Sequence, residues 1–187
     1  MSRIRFETVG DVFEALPTLA EDITARGSGE APLAFMTSLV AGEDPAEALA
    51  FCAYVLPRRE AVGWYCRSLR AIKVAAISPN DPALRLAEAW VREPGEALRL
   101  EALALVEELD KTRPASWAAI ATAWSGGSLA PAEFAGQATR TAAPYLVAKA
   151  IQAGFSMLIP QLPSGEQRDT IRLCIDEGLR IAGSEGP

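Results

Sequence analysis

Histidine does not occur anywhere in this 187-residue chain. Its absence removes the imidazole that activates serine and cysteine nucleophiles, the ligands of HExxH zinc sites, and the Glu-x-x-His motif of di-iron bundles. Cysteine is scarce: Cys52, Cys66 and Cys174 stand far apart, with no CxxC pair. Three thiols fall short of the four N or S ligands that structural zinc takes. Their odd number and wide spacing read as reduced, buried side chains of a cytoplasmic protein rather than a disulfide framework. Phosphate-binding glycine loops are missing as well, since neither GxxxxGK[ST] nor a GxGxxG between strand and helix is present. Gly126-Gly127 follows a helical stretch and no lysine comes after it to meet a phosphate, so the pair reads as a helix C-cap.

Long apolar runs are also lacking. The most apolar stretch, Ala142 to Pro160, is interrupted by Lys149 and Gln152 and ends at a proline, which predicts a buried helix rather than a membrane span. The start, Met1-Ser2-Arg3-Ile4-Arg5-Phe6, has no apolar h-region of a secretion signal. Basic residues are outnumbered, 18 against 24 acidic ones, for a net charge of −6. Such a chain is repelled by bulk nucleic acid and by anionic membrane, which argues against a general DNA binder. Carboxylates are the remaining candidates for acid–base or metal chemistry. Glu107, Glu108 and Asp110 cluster on one predicted helix, and Asp176 with Glu177 on another. Helical magnesium-dependent phosphohydrolases pair an ExxE with an ExxD on facing helices; neither pattern is clear here, so both clusters read as solvated faces. No catalytic, cofactor-binding or metal-ligating residue is assigned.

What the chain does have is helix. Half of its residues are hydrophobic and 22% are charged, a globular composition, and alanine, the best helix former, supplies much of the apolar share. A chain of this length can bury about 70% of its unfolded surface, so it needs no staple. Punctuation recurs as caps and prolines. Thr8 is placed to cap a helix through Leu16, with Asp11 in its first turn. Pro17 ends that helix or starts another, and Gly27-Ser28-Gly29 breaks the chain. Pro32 opens a segment ending near Gly42, and Asp44-Pro45 opens Ala46 to Leu56. Pro57 opens a helix to about Ile77, with Val62, Tyr65, Leu69, Ile72 and Ala76 on one apolar stripe. Asp81-Pro82 starts a helix through Trp90, and Glu93-Pro94 precedes one reaching Asp110 along Leu98, Ala102, Leu105 and Leu109. Pro114 opens another, closed by Gly126-Gly127. Residues 128–143 read as an irregular connection with a short helix around Glu133. Helix resumes from Pro144 to Leu158, and a last one follows Ser164 as its cap, with Gln167 completing a capping box and residues 183–187 fraying. The expectation is an all-α single domain, 1–187, of eight or nine helices in consecutive antiparallel hairpins, as a bundle or a short α-solenoid-like stack. Pro45-Ala46-Glu47-Ala48-Leu49 echoes Pro94-Gly95-Glu96-Ala97-Leu98, a similarity that two ordinary helix starts also produce.

One helix carries a pattern that reaches towards function. At 100° per residue, Arg59, Arg67, Arg70 and Lys73 fall within an arc of about 120°. The strip reads either as a solvated face whose arginine stems cover apolar neighbours or as a docking strip for an acidic helix or tail of another protein. Trp64 lies away from the apolar stripe of the same helix and joins the strip as a candidate contact, the alternative being a second packing neighbour. Trp117 and Trp124, three and four positions from Ile120, are expected in the core, and so is Trp90.

Three stretches, Leu56-Pro57-Arg58-Arg59-Glu60-Ala61-Val62-Gly63-Trp64, Ala87-Glu88-Ala89-Trp90-Val91-Arg92-Glu93-Pro94 and Ala123-Trp124-Ser125-Gly126-Gly127-Ser128-Leu129-Ala130-Pro131, together resemble an uncharacterised family of proteobacterial proteins described only as a domain of unknown function. The resemblance spans roughly residues 5–160. It implies a bacterial source, a small helical protein and a setting near type VI secretion components, and it carries over no catalytic residue. The expected function is that of a non-enzymatic cytoplasmic interaction module, an accessory or adaptor protein, with self-association open and no membrane insertion. An immunity protein that blocks a toxin, and a carboxylate-based metal-dependent hydrolase, stand as alternatives.

Overall fold

Residues 4–72, 77–129 and 141–183 are described by a computed structural model of the chain. Cap chemistry sets most of the helix starts. Thr8 and Asp11 exchange side-chain and backbone hydrogen bonds in a complete capping box, opening α1 (Val9–Ala15). Leu16 ends it, and after Pro17 a single turn forms α2 (Leu19–Asp22). The Gly27-Ser28-Gly29 break lies beside α1, where Gly10 N–H donates to the Ser28 carbonyl at 2.8 Å. Pro32 sits in the first turn of α3 (Pro32–Ala41), where its missing N–H costs nothing. Asp44 accepts from Ala46 N–H at 3.0 Å ahead of α4 (Ala46–Val55). Pro57 precedes α5 (Arg58–Ala71). The buried Asp81 carboxylate accepts from Ala83 and Leu84 N–H at the head of α6 (Pro82–Arg92). Then come α7 (Glu96–Leu105), α8 (Pro114–Ala123) and α9 (Leu146–Leu158). A 3₁₀ turn (Ile159–Gln161) leads into α10 (Ser164–Gly183).

The all-α class is as expected: ten helices and no strand occur among the described residues, with one isolated bridge between Ser128 and Thr141. Several boundaries differ. The helix count exceeds the expected eight or nine by the short α2. α5 ends at Ala71 rather than near Ile77, because Ile72 turns extended (φ −85°, ψ 115°) and buries its side chain. α7 stops at Leu105 rather than Asp110, since Val106 N–H reaches back only three residues, to Leu103. Ser164 is the first residue of α10 instead of its cap, and Gln167 donates from its amide to the Leu162 carbonyl rather than closing a box. Of the expected fray at 183–187, Gly183 is instead the last residue of α10; residues 184–187 and the expected helix near Glu133 fall outside the described residues.

α8 and α9 form the centre. Nine of the ten residues of α8 are buried, mostly alanines, so four helices approach it closely: α5, α6, α7 and α9. α9 packs in turn on α4 and α5. Gly154 of α9 permits one such approach, because a Cβ there would collide with the Tyr65 hydroxyl. That hydroxyl donates to the Pro114 carbonyl at 2.8 Å, and the Tyr65 ring meets Phe155 edge-on at 5.0 Å. Neighbouring pairs α3–α4, α5–α6, α6–α7 and α7–α8 pack together, yet α10 returns to cover α3, α4 and α5. In a solenoid each unit touches only its sequence neighbours; this return makes the architecture a closed bundle, and the echo between Pro45 and Pro94 marks two separate helix starts. The buried apolar residues form one cluster running from Ile4 to Ala182. Among the described residues no helix is long and apolar enough to cross a membrane.

Candidate docking surface

The three sequence stretches that carry the resemblance meet in space. Arg58, at the first turn of α5, donates from Nη1 to the Ser125 carbonyl at 2.8 Å. Arg59 donates from Nε to the Val91 carbonyl at 2.8 Å and from Nη2 towards that of Arg92. Both arginines thus satisfy backbone oxygens that the ends of α8 and α6 leave without intrahelical partners. A third arginine completes the arrangement. Arg99 is only 3% exposed; it donates to the Ala123 and Ser128 carbonyls at 3.1 Å and pairs with Glu96 one turn earlier. Gly127 (φ +62°) is the left-handed residue of this turn, and a side chain there would also strike the Arg99 guanidinium. It follows the end of α8 by four positions, in a turn that arginine rather than glycine caps. Arg99 gave no signal in the sequence reading, where Leu98 and Ala102 defined its helix face. Its spacing from Glu96, i and i+3 on one helix, was the available clue.

The basic strip is largely engaged within the chain. Arg59 is tied to α6 as described. Arg70 grips Glu88 of α6 with two hydrogen bonds, at 2.7 and 2.8 Å, and also donates to the Pro79 carbonyl. Arg67 pairs with Glu177 of α10 at 2.7 Å and keeps about half of its side chain in solvent. Lys73 lies outside the described residues. The strip therefore spreads over two helix interfaces, with Glu88 and Glu177 as its acid partners. Trp64 takes the packing alternative and leaves the candidate contacts: it is 0% exposed, its indole N–H donates to the Cys174 carbonyl at 2.7 Å, and its ring lies 5.3 Å from that of Phe155. A second layer of packing, from α9 and α10, covers the side of α5 that helical phase left open. Trp117 and Trp124 move the other way, packed against the core but only half-buried, and Trp117 donates to the Lys111 carbonyl at 2.9 Å. Trp90 is buried as expected.

A groove of about 370 Å³ runs between α5 and α10, lined by Arg67, Ser68 and Ala71 on one side and Leu173, Cys174, Glu177 and Arg180 on the other. Its floor is small and neutral. Burial pushes the Cys174 thiol up to about 11, partly offset by the Ser68 hydroxyl, so the sulfur stays protonated. The Ser68 hydroxyl is buried, with the Cys174 thiol as its neighbour and no hydrogen bond of good geometry. Leu173, on the rim, is half exposed; among the described residues only Met157 is a comparably uncovered large apolar side chain. Glu177 receives Arg180 Nε at 2.8 Å and Nη2 at 2.7 Å, in addition to Arg67. The hydrogen bonds of Arg180, with the charge of Arg67 behind them, hold its carboxyl below the usual range despite partial burial. A second hollow, about 450 Å³, lies by Arg5, Phe6, Tyr54, Arg58 and Val147, but Tyr54 is committed to Thr18 and Asp22 and Arg58 to Ser125.

The other candidate chemistry is dispersed. Cys52, Cys66 and Cys174 are free and buried, and burial pushes Cys66 up to about 12. Glu107, Glu108 and Asp110 are solvent-exposed, whereas Asp176 is exposed beside a partly buried Glu177. Among the described residues no three cysteine, aspartate or glutamate side chains converge in a metal-binding set. No curated protein and no solved structure matches the chain. A family model does match, over residues 35–182, so it leaves out α1 and α2 and extends past the expected limit to take in nearly all of α10; the chain belongs to this family of unknown function, DUF6931.

Proposed function

We propose that the chain is a non-enzymatic helical interaction module that docks another protein on the face formed by α5 and α10. The observation that carries this reading is the groove itself: a small-residue floor edged by Leu173, which with Met157 is one of the two exposed large apolar side chains among the described residues. Exposed apolar surface rimmed by charge is the usual mark of a contact site. The basic strip supports a narrower version of the original docking idea. Arg59 and Arg70 hold helices together, and Arg67 alone of the described members stands at the groove with much of its side chain in water.

An accessory or adaptor role in a bacterial system follows from this reading, and the resemblance of the three stretches favours type VI secretion as the setting. The net charge of −6 favours, as a second reading, an immunity protein that neutralises a basic toxin. Partner identity separates the two. The test is differential capture from cells of the source organism, with the wild-type chain and a Leu173→Asp variant as baits. A partner held by the wild type and released by the variant, at equal melting temperature, is the expected result. An identical captured set on both baits would remove the groove from the account.

A further inference from the structure

We infer that the occupant of the α5–α10 groove is an amphipathic helix of a partner protein, seating a bulky apolar side chain against Leu173 and Ala71 and offering carboxylates to Arg67 and Arg180. The inference rests on the docking reading above and adds the chemistry of the partner.

Two guanidinium groups converge on one carboxylate, Glu177, so the rim keeps a unit positive charge on a chain whose total is −6. Arg67 and Arg180 are 47% and 66% exposed. A guanidinium carries five N–H donors; Glu177 takes one from Arg67 and two from Arg180. The remaining donors are available to a second carboxylate. Glu177 shows in miniature what the rim binds, since an acid supplied by the chain already sits between the two arginines. The neighbouring charges do not cancel this rim. Arg70 is occupied by Glu88 and Pro79, and Arg172 with Asp176, both exposed, are four positions apart on α10 and offset one another.

Shape selects the helix. From Leu173 to Arg180 the groove wall advances seven residues, about 10 Å or two helical turns, which matches anchors at i, i+3 or i+4, and i+7 of a helix lying along it. A peptide that binds by strand addition needs a sheet edge, and the described residues contain no strand. Proline-rich ligands need an aromatic-lined groove, and none of the lining residues is aromatic. The floor of Ser68, Ala71 and Cys174 leaves room for one large side chain.

The test is a helix-biased random peptide display library panned on the full-length chain, with counter-selection on Leu173→Asp. Recovered peptides should carry an apolar residue with glutamate or aspartate one turn away. A fluorescein-labelled representative should bind about tenfold or more weakly to Arg180→Glu and to Arg180→Ala, with the loss larger at low salt, where screening is least. Changing its acidic residues to lysine should restore binding to Arg180→Glu. Melting curves for each variant confirm that the fold is kept. Recovery of no peptide, or of peptides that bind Leu173→Asp equally well, would overturn the inference and the docking reading together. Neutral or basic apolar peptides that still require Leu173 would overturn only the inference.

Discussion

Trp64 sits where the phase of a single apolar stripe would put a surface residue, and it is completely buried because α5 is covered from several sides. Eight of the fourteen residues of α5 are buried, and α6, α8, α9 and α10 all pack on it. Replacing Trp64 with alanine should therefore cost about 3–5 kcal/mol, the usual range for a core aromatic, and should exceed the cost of Trp117→Ala in the same urea titration. Arg99 is the opposite kind of residue, a buried charge held by two carbonyls and one carboxylate. Arg99→Met should take from the buried Ala123 oxygen the guanidinium that caps it, at a cost of about 1–3 kcal/mol. It also carries a pH signature. The hydrogen bonds of Arg99 hold the Glu96 carboxyl below its ordinary value, as Arg180 and Arg67 do for Glu177. A carboxyl depressed by folding stabilises fully above its unfolded pKa, about 4.3, and loses that contribution as pH falls through the lower folded value. Wild-type stability should therefore fall below about pH 4.3, and the fall should be shallower in Arg99→Met. Ser68 predicts a different sign: its buried hydroxyl has only a weak contact with the Cys174 thiol to lose, so Ser68→Ala should leave stability unchanged or raise it.

At the scale of elements, helix starts were legible in the sequence, and so were the ends at Leu16, Gly42, Leu56 and Leu158; the ends of α5 and α7 were not. Thr8, Pro32, Asp81 and Pro114 mark where helices open because a cap or an N-terminal proline acts within three residues of itself. Ends depend on what the rest of the chain brings to the last carbonyls. Arg59 finishes α6 from thirty-two residues away, and Arg99 finishes α8 from twenty-four; Pro94 and Gly126-Gly127 announce roughly where these helices stop, but no local pattern announces the arginines that cap them. Asp81 joins both kinds of control: its carboxylate caps α6, is buried, and pairs with Arg113 across the loop before α8. Asp81→Ala should cost more than the ~1 kcal/mol of an ordinary N-cap, and Arg113→Ala measured alone and in the double variant should show coupling rather than additivity.

At the scale of the molecule, what decides the surface is the return of α10. It covers Trp64, receives Arg67 and builds one wall of the groove, and no feature near Arg67 in the sequence points to a partner 110 residues later. The strip of arginines was legible; its internal partners, Glu88 and Glu177, were not, because Glu107 and Glu108 formed the more conspicuous acidic cluster. The central claim is that function lies on the α5–α10 face, and amide hydrogen exchange on the chain bound to its captured partner tests it most directly. Slowed exchange should concentrate in residues 67–71 and 173–180, with the Arg58, Arg59 and Arg99 junction unchanged. Protection confined to any other surface, or a complex that forms with no change at this face, would contradict the account.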